Sequence, residues 1–180
     1  MPGDEPDPVP SATPAWAPAR WWEPLGDAPA PGAAGGVPGV PGVVAVGALV
    51  DLRRAVLRDG RADLHAGHPA DPDPSTLHLG AVSPGGPMVG GVTVVVEPWP
   101  GYATLHLVLM AVDAGWRRRG VGASLVRAVQ DSATAAGFDV WAAARTGVLD
   151  FYADLGFRPL GDEFTGAMDL AHRRVLWRRP

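Results

Sequence analysis

The feature that most constrains the fold of this chain is a change of hydrophobic periodicity near residue 113. Before it come three segments rich in valine, leucine and threonine, at residues 77–82, 89–96 and 103–112. The pairs Gly85-Gly86 and Pro100-Gly101 between them are typical of tight turns. After it, apolar residues recur at helical spacing over residues 121–136. We therefore predict an antiparallel three-strand meander followed by a helix that Gly137 terminates.

The flanking segments complete an α/β domain with a mixed sheet. A strand at residues 139–144 follows the helix, so it should run parallel to the strand before the helix. A shorter helix at 147–155 and strands at 157–163 and 170–177 complete the sheet. Ahead of the meander we predict a short strand at 43–46 and an amphipathic helix that begins near Leu49 and stops near Gly60.

The pattern within each helix predicts its buried face. In the first helix the apolar residues are Leu49, Leu52, Val56 and Leu57, and the opposite face carries Arg53, Arg54 and Arg58. In the long helix Val121, Leu125, Val129 and Ala133 should face the sheet, away from Arg127, Gln130, Asp131 and Thr134. The short helix should bury Val148, Phe151, Tyr152 and Leu155.

The first 42 residues differ in composition from the rest. Proline, alanine and glycine dominate them, which predicts a disordered or extended tail before one domain at 43–180. For Trp16, Trp21 and Trp22 in this tail, loose packing on its own domain or no role is the favoured interpretation, and a docking patch is the alternative. Recurrent prolines and early negative charges argue against a secretory signal, so we expect a cytoplasmic protein.

Composition excludes several classes of function. The 180 residues carry a formal net charge of −4, which argues against nucleic acid as a partner. No apolar run approaches the roughly 20 residues that a membrane span needs, so no membrane partner is expected. The absence of cysteine excludes disulfides, thiolate zinc ligands and a cysteine nucleophile. Any anion-binding site must therefore be a local feature.

The run Arg117-Arg118-Arg119-Gly120-Val121-Gly122 is the best candidate for such a site. It lies between a predicted strand and the start of the long helix, where unpaired backbone N–H groups converge. The glycines would let an anion approach the backbone, and the arginines add charge. A Walker-type loop is excluded because neither glycine precedes Lys-Ser or Lys-Thr, and the meander disfavours a dinucleotide fold. A solvated basic turn is the alternative.

Two motifs resemble those of the GCN5-related N-acetyltransferases. Residues 108–125, with their Arg-x-x-Gly-x-Gly pattern, are similar to that family's acetyl-CoA motif. Val-Leu-Asp-Phe-Tyr-Ala-Asp-Leu-Gly-Phe at 148–157 resembles its Ala-x-x-Phe-Tyr-x-x-x-Gly-Phe. The resemblance covers residues 43–177, and Leu52, Arg53, Val56, residues 76–79, residues 141–145 and His172 are similar to the ElaA-like branch.

The resemblance implies a mixed, mostly antiparallel sheet flanked by helices, with a splayed central strand. It also implies direct attack of an amine on the thioester of acetyl-CoA, with no metal and no covalent enzyme intermediate. Backbone groups of Met110, Ala111 and Val112 would hold the pantetheine arm, and one N–H there would stabilise the oxyanion. The pyrophosphate would be held by Arg117, Arg118, Arg119, Gly120, Val121, Gly122, Ala123 and Ser124.

Tyr152 matches the family's tyrosine beside the sulfur. A phenol has an ordinary pKa near 10, so it is protonated at neutral pH and can donate to the departing thiolate. The alternative role for Tyr152 is packing of the short helix against the sheet. For the base that deprotonates the amine, His78 and His172 are preferred because the ElaA-like pattern has histidine there. Glu97, His106 and a water molecule are alternatives.

A metal site is the alternative explanation of four polar residues in one segment. These are His65, His68, Asp71 and Asp73. Gly67 and Pro69 break any helix that would align them, which favours a solvated loop.

The predicted function is therefore acetyl transfer to a primary amine of a small molecule or peptide. A catalytically weak acyl-CoA binder with a regulatory role is the alternative, and a structural module would require both motifs to be coincidence. The chain departs from the family pattern at Arg145, Val148 and Ala171, and Val108 and Leu109 make the acceptor side more apolar. These departures concern the acceptor. A homodimer is compatible with this function.

Overall fold

The computed structural model describes residues 41–84, 86–99 and 103–180. The predicted tail, with its three tryptophans, lies outside the described residues except at its last two positions. The turn pairs 85–86 and 100–101 are described only at Gly86. In the described part, no helix is both long and apolar enough to cross a membrane.

Seven strands form one sheet in the described part of the chain. They are β1 Gly42–Val43, β2 Leu77–Val82, β3 Met88–Val96, β4 Thr104–Val112, β5 Asp139–Arg145, β6 Arg158–Thr165 and β7 Ala171–Trp177. The spatial order is β1-β2-β3-β4-β5-β7-β6. Among these seven described strands, β4 and β5 are the one parallel pair, and the chain connects them through the helix at residues 121–136. The other neighbours are antiparallel. The predicted mixed, mostly antiparallel α/β sheet is confirmed.

In residues 41–180, apart from the undescribed positions, three α-helices cover the sheet: α1 Val50–Leu57, α2 Val121–Ala136 and α3 Leu149–Asp154. The bounds of α2 agree with its predicted periodicity, and Gly137 ends it with φ of 81°. Short 3-10 segments precede α1 at Val46–Leu49 and α3 at Thr146–Val148. The first strand is shorter than predicted, because the chain already turns at Val46.

The two faces of the sheet carry different side chains. One face, here called the α2 face, packs against α2 and α3 through apolar residues that include Leu79, Val94, Leu107, Val140 and Val175. Side chains alternate along a strand, so their neighbours point to the opposite face. This is the α1 face, against which α1 packs over β3 and β4. By strand register it carries His78, Thr93, His106, Trp141, Arg174 and His172.

Three side chains are placed differently from the prediction. Arg53 is only 1% exposed, because loop and strand groups on the α1 face bind its guanidinium. Gln130 is also buried and donates to the Leu155 carbonyl at 2.8 Å, tying α2 to the end of α3. Val148 was predicted to be buried but is 44% exposed, because the chain there forms a 3-10 turn before α3 begins. Helical periodicity does not register such long-range polar contacts.

Candidate active site

β4 and β5 pair at one end and separate at the other. Their parallel register covers four residue pairs, from Thr104 with Asp139 to Leu107 with Ala142. Beyond Leu107, β4 continues to Val112 while β5 pairs only with β7 on its other side. The splayed central strand that the resemblance implied is therefore present. Among the described residues, one backbone edge of β4 has no strand partner at residues 108–112.

A β-bulge lies in the splayed part of β4. Gly91 and Thr93 on β3 pair with Ala111 and Val108 on β4, so β4 has one more residue than β3 between these pairs. Leu109 takes up the extra length with φ of 50°, a value that is uncommon for a branched side chain. The bulge turns backbone groups near Met110 out of the regular ladder.

The loop between β4 and α2 presents a series of unpaired amides. Among the described residues, the N–H groups of residues 118–123 donate to no backbone or side-chain acceptor. The amides at the two ends of the predicted run are engaged, since Arg117 donates to the Ala114 carbonyl at 3.4 Å and Ser124 to the Gly120 carbonyl at 2.9 Å. The six amides between them lie at the positive end of α2 and suit an anion.

Glycine is needed at the two glycine positions of this loop for different structural reasons. Gly120 precedes α2 with φ of 84°, in the left-handed region, and nothing lies within 4 Å of a Cβ added there. Its backbone conformation therefore requires glycine. A Cβ on Gly122 would lie 3.0 Å from Cε of Met110 and 3.4 Å from the Phe151 ring, so this glycine permits close packing of α2 on β4 and α3.

Exposed arginines surround these amides. Arg117, Arg118 and Arg119 are exposed. Nε of Arg117 donates to the Val112 carbonyl at 3.2 Å, and the guanidinium of Arg119 lies 5.3 Å from the Trp116 ring centroid. These contacts hold two of the three charges close to the start of the helix.

Tyr152 lies on the α2 face, beside the gap between β4 and β5. It is 6% exposed, and its hydroxyl donates to the Met110 sulfur at 3.8 Å. Edge-to-face contacts with Phe151 and Phe157, each at 5.2 Å between centroids, fix its ring. Burial raises the pKa of Tyr152 well above its ordinary value, so the phenol stays protonated. The residue both packs in the core and presents a donor.

His78 belongs to a buried polar network on the α1 face. Its Nδ1 lies 2.9 Å from Oγ1 of Thr93 and 3.4 Å from Arg53, and its Nε2 lies 3.4 Å from the Asp71 carbonyl. Arg53 also contacts Thr93 and forms an ion pair with Asp71 at 2.9 Å. Burial lowers the pKa of His78, which favours the neutral ring. The sequence alone does not indicate this network, since no local pattern identifies the partner of a buried arginine.

His172 lies farther along the same face, on β7. It pairs in register with Arg145 on β5, which is the last residue of that strand. Its Nδ1 lies 2.7 Å from the Leu170 carbonyl, and the ring is 7% exposed. His78 and His172 therefore lie on opposite sides of the β4–β5 gap, and the structure does not bring them together.

A second titratable pair lies between them. Nδ1 of His106 lies 2.7 Å from Oε2 of Glu97, and the His106 ring stacks on Trp141 with centroids 3.5 Å apart and planes at 10°. Trp99 contacts the edge of the same indole at 5.4 Å. The hairpin register, which pairs Val95 with His106, explains how Glu97 reaches the histidine. Glu97 and His106 are separate candidates for the base in the sequence, and no local pattern there indicates that they pair.

The segment between α1 and β2 forms an open groove of about 650 Å³ against α1. His65, His68 and Asp71 line it. Within the described ranges, no group of three or more histidine, aspartate or glutamate residues is arranged to hold a metal ion. Asp71 instead accepts from Arg53 and from the His68 amide, at 2.9 Å each.

Comparison with known structures relates the fold to acyltransferases. The chain is similar to Escherichia coli ElaA, with 17% identity and a TM-score of 0.63 over 74% of this chain and 89% of that one. An acyl-CoA N-acyltransferase from Pseudomonas aeruginosa is 18% identical, with a TM-score of 0.61 over 74% of this chain and 89% of that one. An aminoglycoside 6'-N-acetyltransferase complexed with coenzyme A is 13% identical, with a TM-score of 0.58 over 76% of this chain and 95% of that one. At these identities the likeness is one of fold.

A family model provides the assignment that fold similarity leaves open. None of the curated protein sequences compared with the chain matches it significantly. Residues 49–157, more than half of the chain, match the model described as the acetyltransferase (GNAT) family. This range includes the splayed strand, the loop of unpaired amides and Tyr152. The chain therefore belongs to the GNAT family of acyltransferases.

Proposed function

We propose that the protein transfers the acetyl group of acetyl-CoA to a primary amine of a small molecule or peptide, by direct attack of the amine, in the cytoplasm. One observation carries this proposal: the unpaired β4 edge at 108–112 leads directly into the unpaired amides at 118–123. A pantetheine arm, with two amide groups, can pair with a free strand edge. Its pyrophosphate then reaches the start of α2.

The donor site would use mainly backbone groups. Met110, Ala111 and Val112 would bind the pantetheine, and the bulge would aim one N–H at the thioester oxygen. The amides within residues 117–124 would bind the pyrophosphate, with the nearby arginines adding charge. A structure of the same fold, the aminoglycoside acetyltransferase, has been determined with coenzyme A, which supports a CoA-type donor.

Tyr152 would act on the leaving group. The phenol is protonated and lies beside the gap, where it already donates to one sulfur atom, that of Met110. A hydrogen bond to the thioester sulfur would stabilise the thiolate as the C–S bond breaks. The sequence-based candidates for the base, His78 and His172, stay predictions, as does the homodimer.

Thermal unfolding with added acetyl-CoA tests donor binding. Ligand at a hundred times its Kd adds about 2.7 kcal/mol to the free energy of unfolding, so we expect the Tm to rise by about 5–10 °C. ATP at the same concentration has a polyphosphate but no pantetheine, and should shift the Tm far less. An equal shift with ATP, or none with acetyl-CoA, would contradict the proposed donor site.

Release of CoA over a panel of amines, peptides and amino acids tests transfer. In Tyr152→Phe we expect kcat to fall by about 100-fold with unchanged affinity for acetyl-CoA, because only the donor to the thiolate is lost. Unchanged turnover would reduce Tyr152 to a packing role. Binding of acetyl-CoA without turnover on any amine would favour the weak-binder alternative.

A further inference from the structure

A carboxylate–imidazole pair lies at the closed end of the β4–β5 gap. Glu97 Oε2 accepts from Nδ1 of His106 at 2.7 Å. An ionised carboxylate only accepts hydrogen bonds, so Nδ1 carries the hydrogen and the lone pair of the neutral ring is on Nε2. Within the described part of the chain Nε2 makes no hydrogen bond. The side chains are 15% and 20% exposed for His106 and Glu97, so both remain accessible.

The surroundings fix the orientation of this ring. Trp141 is its register partner on β5 and stacks on it at 3.5 Å. The Trp141 indole nitrogen is buried and has no hydrogen-bond partner among the described residues, although Trp99 packs on its ring. Stacking on the indole and the hydrogen bond to Glu97 therefore hold the His106 imidazole in one orientation.

The location matches the direction from which an amine must arrive. Tyr152 and Met110 pack with the core on the α2 face, so the thioester sulfur would lie on that side of the gap. The amine attacks the carbonyl carbon from above or below the plane of the thioester, and the core packing of Tyr152 and Met110 closes the α2 face, so the amine approaches from the α1 face. His106 lies on that face, one residue before the last paired rung, Leu107 with Ala142.

We propose that His106 is the catalytic base for the acceptor amine and that Glu97 is its positioning residue; this assignment rests on the proposed acetyl transfer. Nε2 of His106 takes one proton from the ammonium group of the acceptor, directly or through one water molecule, and passes it to solvent. The nitrogen lone pair then forms the N–C bond to the thioester carbonyl, and the C–S bond breaks. The thiolate takes the Tyr152 proton. The second nitrogen proton leaves to water, from which Tyr152 is reprotonated.

Neighbouring charges are compatible with a cationic intermediate. Glu97 stabilises the imidazolium of His106 directly. His68 faces the pair from the loop after α1. Its pKa is lowered mainly by burial and secondly by the charge of His106, which keeps the His68 ring neutral. On β7, the guanidinium of Arg174 lies over the rings of Trp99 and Phe164 at 5.4 and 4.7 Å. Arg53, on α1, is paired with Asp71.

The test compares His106→Gln and Glu97→Gln with His65→Gln, which changes an exposed histidine in the loop between α1 and β2. We expect kcat/KM for the amine to fall by about 100-fold in His106→Gln and about tenfold in Glu97→Gln, mainly through kcat. Affinity for acetyl-CoA should stay within about twofold, which also confirms folding. In His106→Ala, added imidazole should restore part of the lost rate, because a free base can occupy the space of the ring.

The possible results separate this assignment from the proposed function. Turnover of His106→Gln and Glu97→Gln within about threefold of the wild type would overturn the assignment alone. A structural role of the pair would also overturn the assignment. Its signs would be a large loss of turnover together with a loss of acetyl-CoA affinity, and no effect of imidazole on the turnover of His106→Ala. Wild-type protein that binds acetyl-CoA but acetylates no amine would overturn the transfer activity and this assignment together.

Discussion

At the scale of single residues, Arg53 shows how a charged side chain can belong to the core. Its guanidinium is buried between α1, β2 and β3, where it binds Asp71 and Thr93 and contacts His78. Its Nε and one oxygen of Asp71 are buried without a partner among the described residues. Such a network is costly to break, because removing one member leaves the others desolvated and unpaired.

We expect Arg53→Met to lower the free energy of unfolding by about 3 kcal/mol, because Asp71 is left as an uncompensated, mostly buried charge. Thermal or urea unfolding measures the change. Arg61→Ala is the matched control, since the ion pair of Arg61 with Asp63 is solvent-exposed and its loss should leave the Tm nearly unchanged. Equal Tm values for the two variants would show that the buried network contributes no net stability.

At the level of secondary-structure elements, the two ends of α2 allow the stability of the fold and the proposed binding of acetyl-CoA to be tested separately. Gly120 at its start and Gly137 at its end both adopt left-handed backbone, with φ of 84° and 81°. A Cβ at either position meets nothing within 4 Å, so the cost of alanine is conformational at both. Only Gly120 lies among the unpaired amides.

Gly120→Ala and Gly137→Ala should each destabilise the protein by about 1–2 kcal/mol, the cost of left-handed backbone for an L-residue. Relaxation of the loop in Gly120→Ala should also turn its amides away from the pyrophosphate and weaken acetyl-CoA binding by about tenfold or more. Calorimetric titration of both variants measures this difference. The same affinity in both would argue against a pyrophosphate site at this helix start.

At the scale of the whole molecule, the α1 face contains neutral, partly or fully buried histidines. Burial is the main cause that lowers the pKa of both His68 and His78 below the 6.5 of an ordinary histidine. Well above pH 6.5 both rings are neutral in the folded chain and in the unfolded chain. As the pH falls through 6.5, these histidines take up protons in the unfolded chain but stay neutral in the folded chain, so the free energy of unfolding decreases.

We therefore expect the Tm to be steady between pH 8 and 7 and to fall from about pH 6.5 downward, ahead of carboxylate protonation near pH 4. The double variant His68→Gln, His78→Gln should be less stable at pH 8 but show a flatter dependence on pH. His65→Gln should keep the wild-type slope, because His65 is exposed. A wild-type slope in the double variant would assign the pH dependence to other groups.

The amino-acid pattern was sufficient for features that depend on neighbours in sequence. The bounds of α2, the meander, the parallel strand after α2 and the loop at its start follow from periodicity and glycine placement. The burial of Arg53 and Gln130 and the exposure of Val148 do not follow. Periodicity assigns polarity to a helix face, whereas a buried polar side chain depends on partners that are distant in sequence.

The proposed donor site could be predicted from the sequence, because backbone amides at a helix start come from contiguous residues. The proposed acceptor site could not, because its residues come from different strands. Glu97, His106 and Trp141 come from three strands or their ends, and only the hairpin register and the parallel β4–β5 pairing bring them together. A one-residue shift of either register would place His106 on the opposite face of the sheet. The order of residues along each strand does not specify these registers.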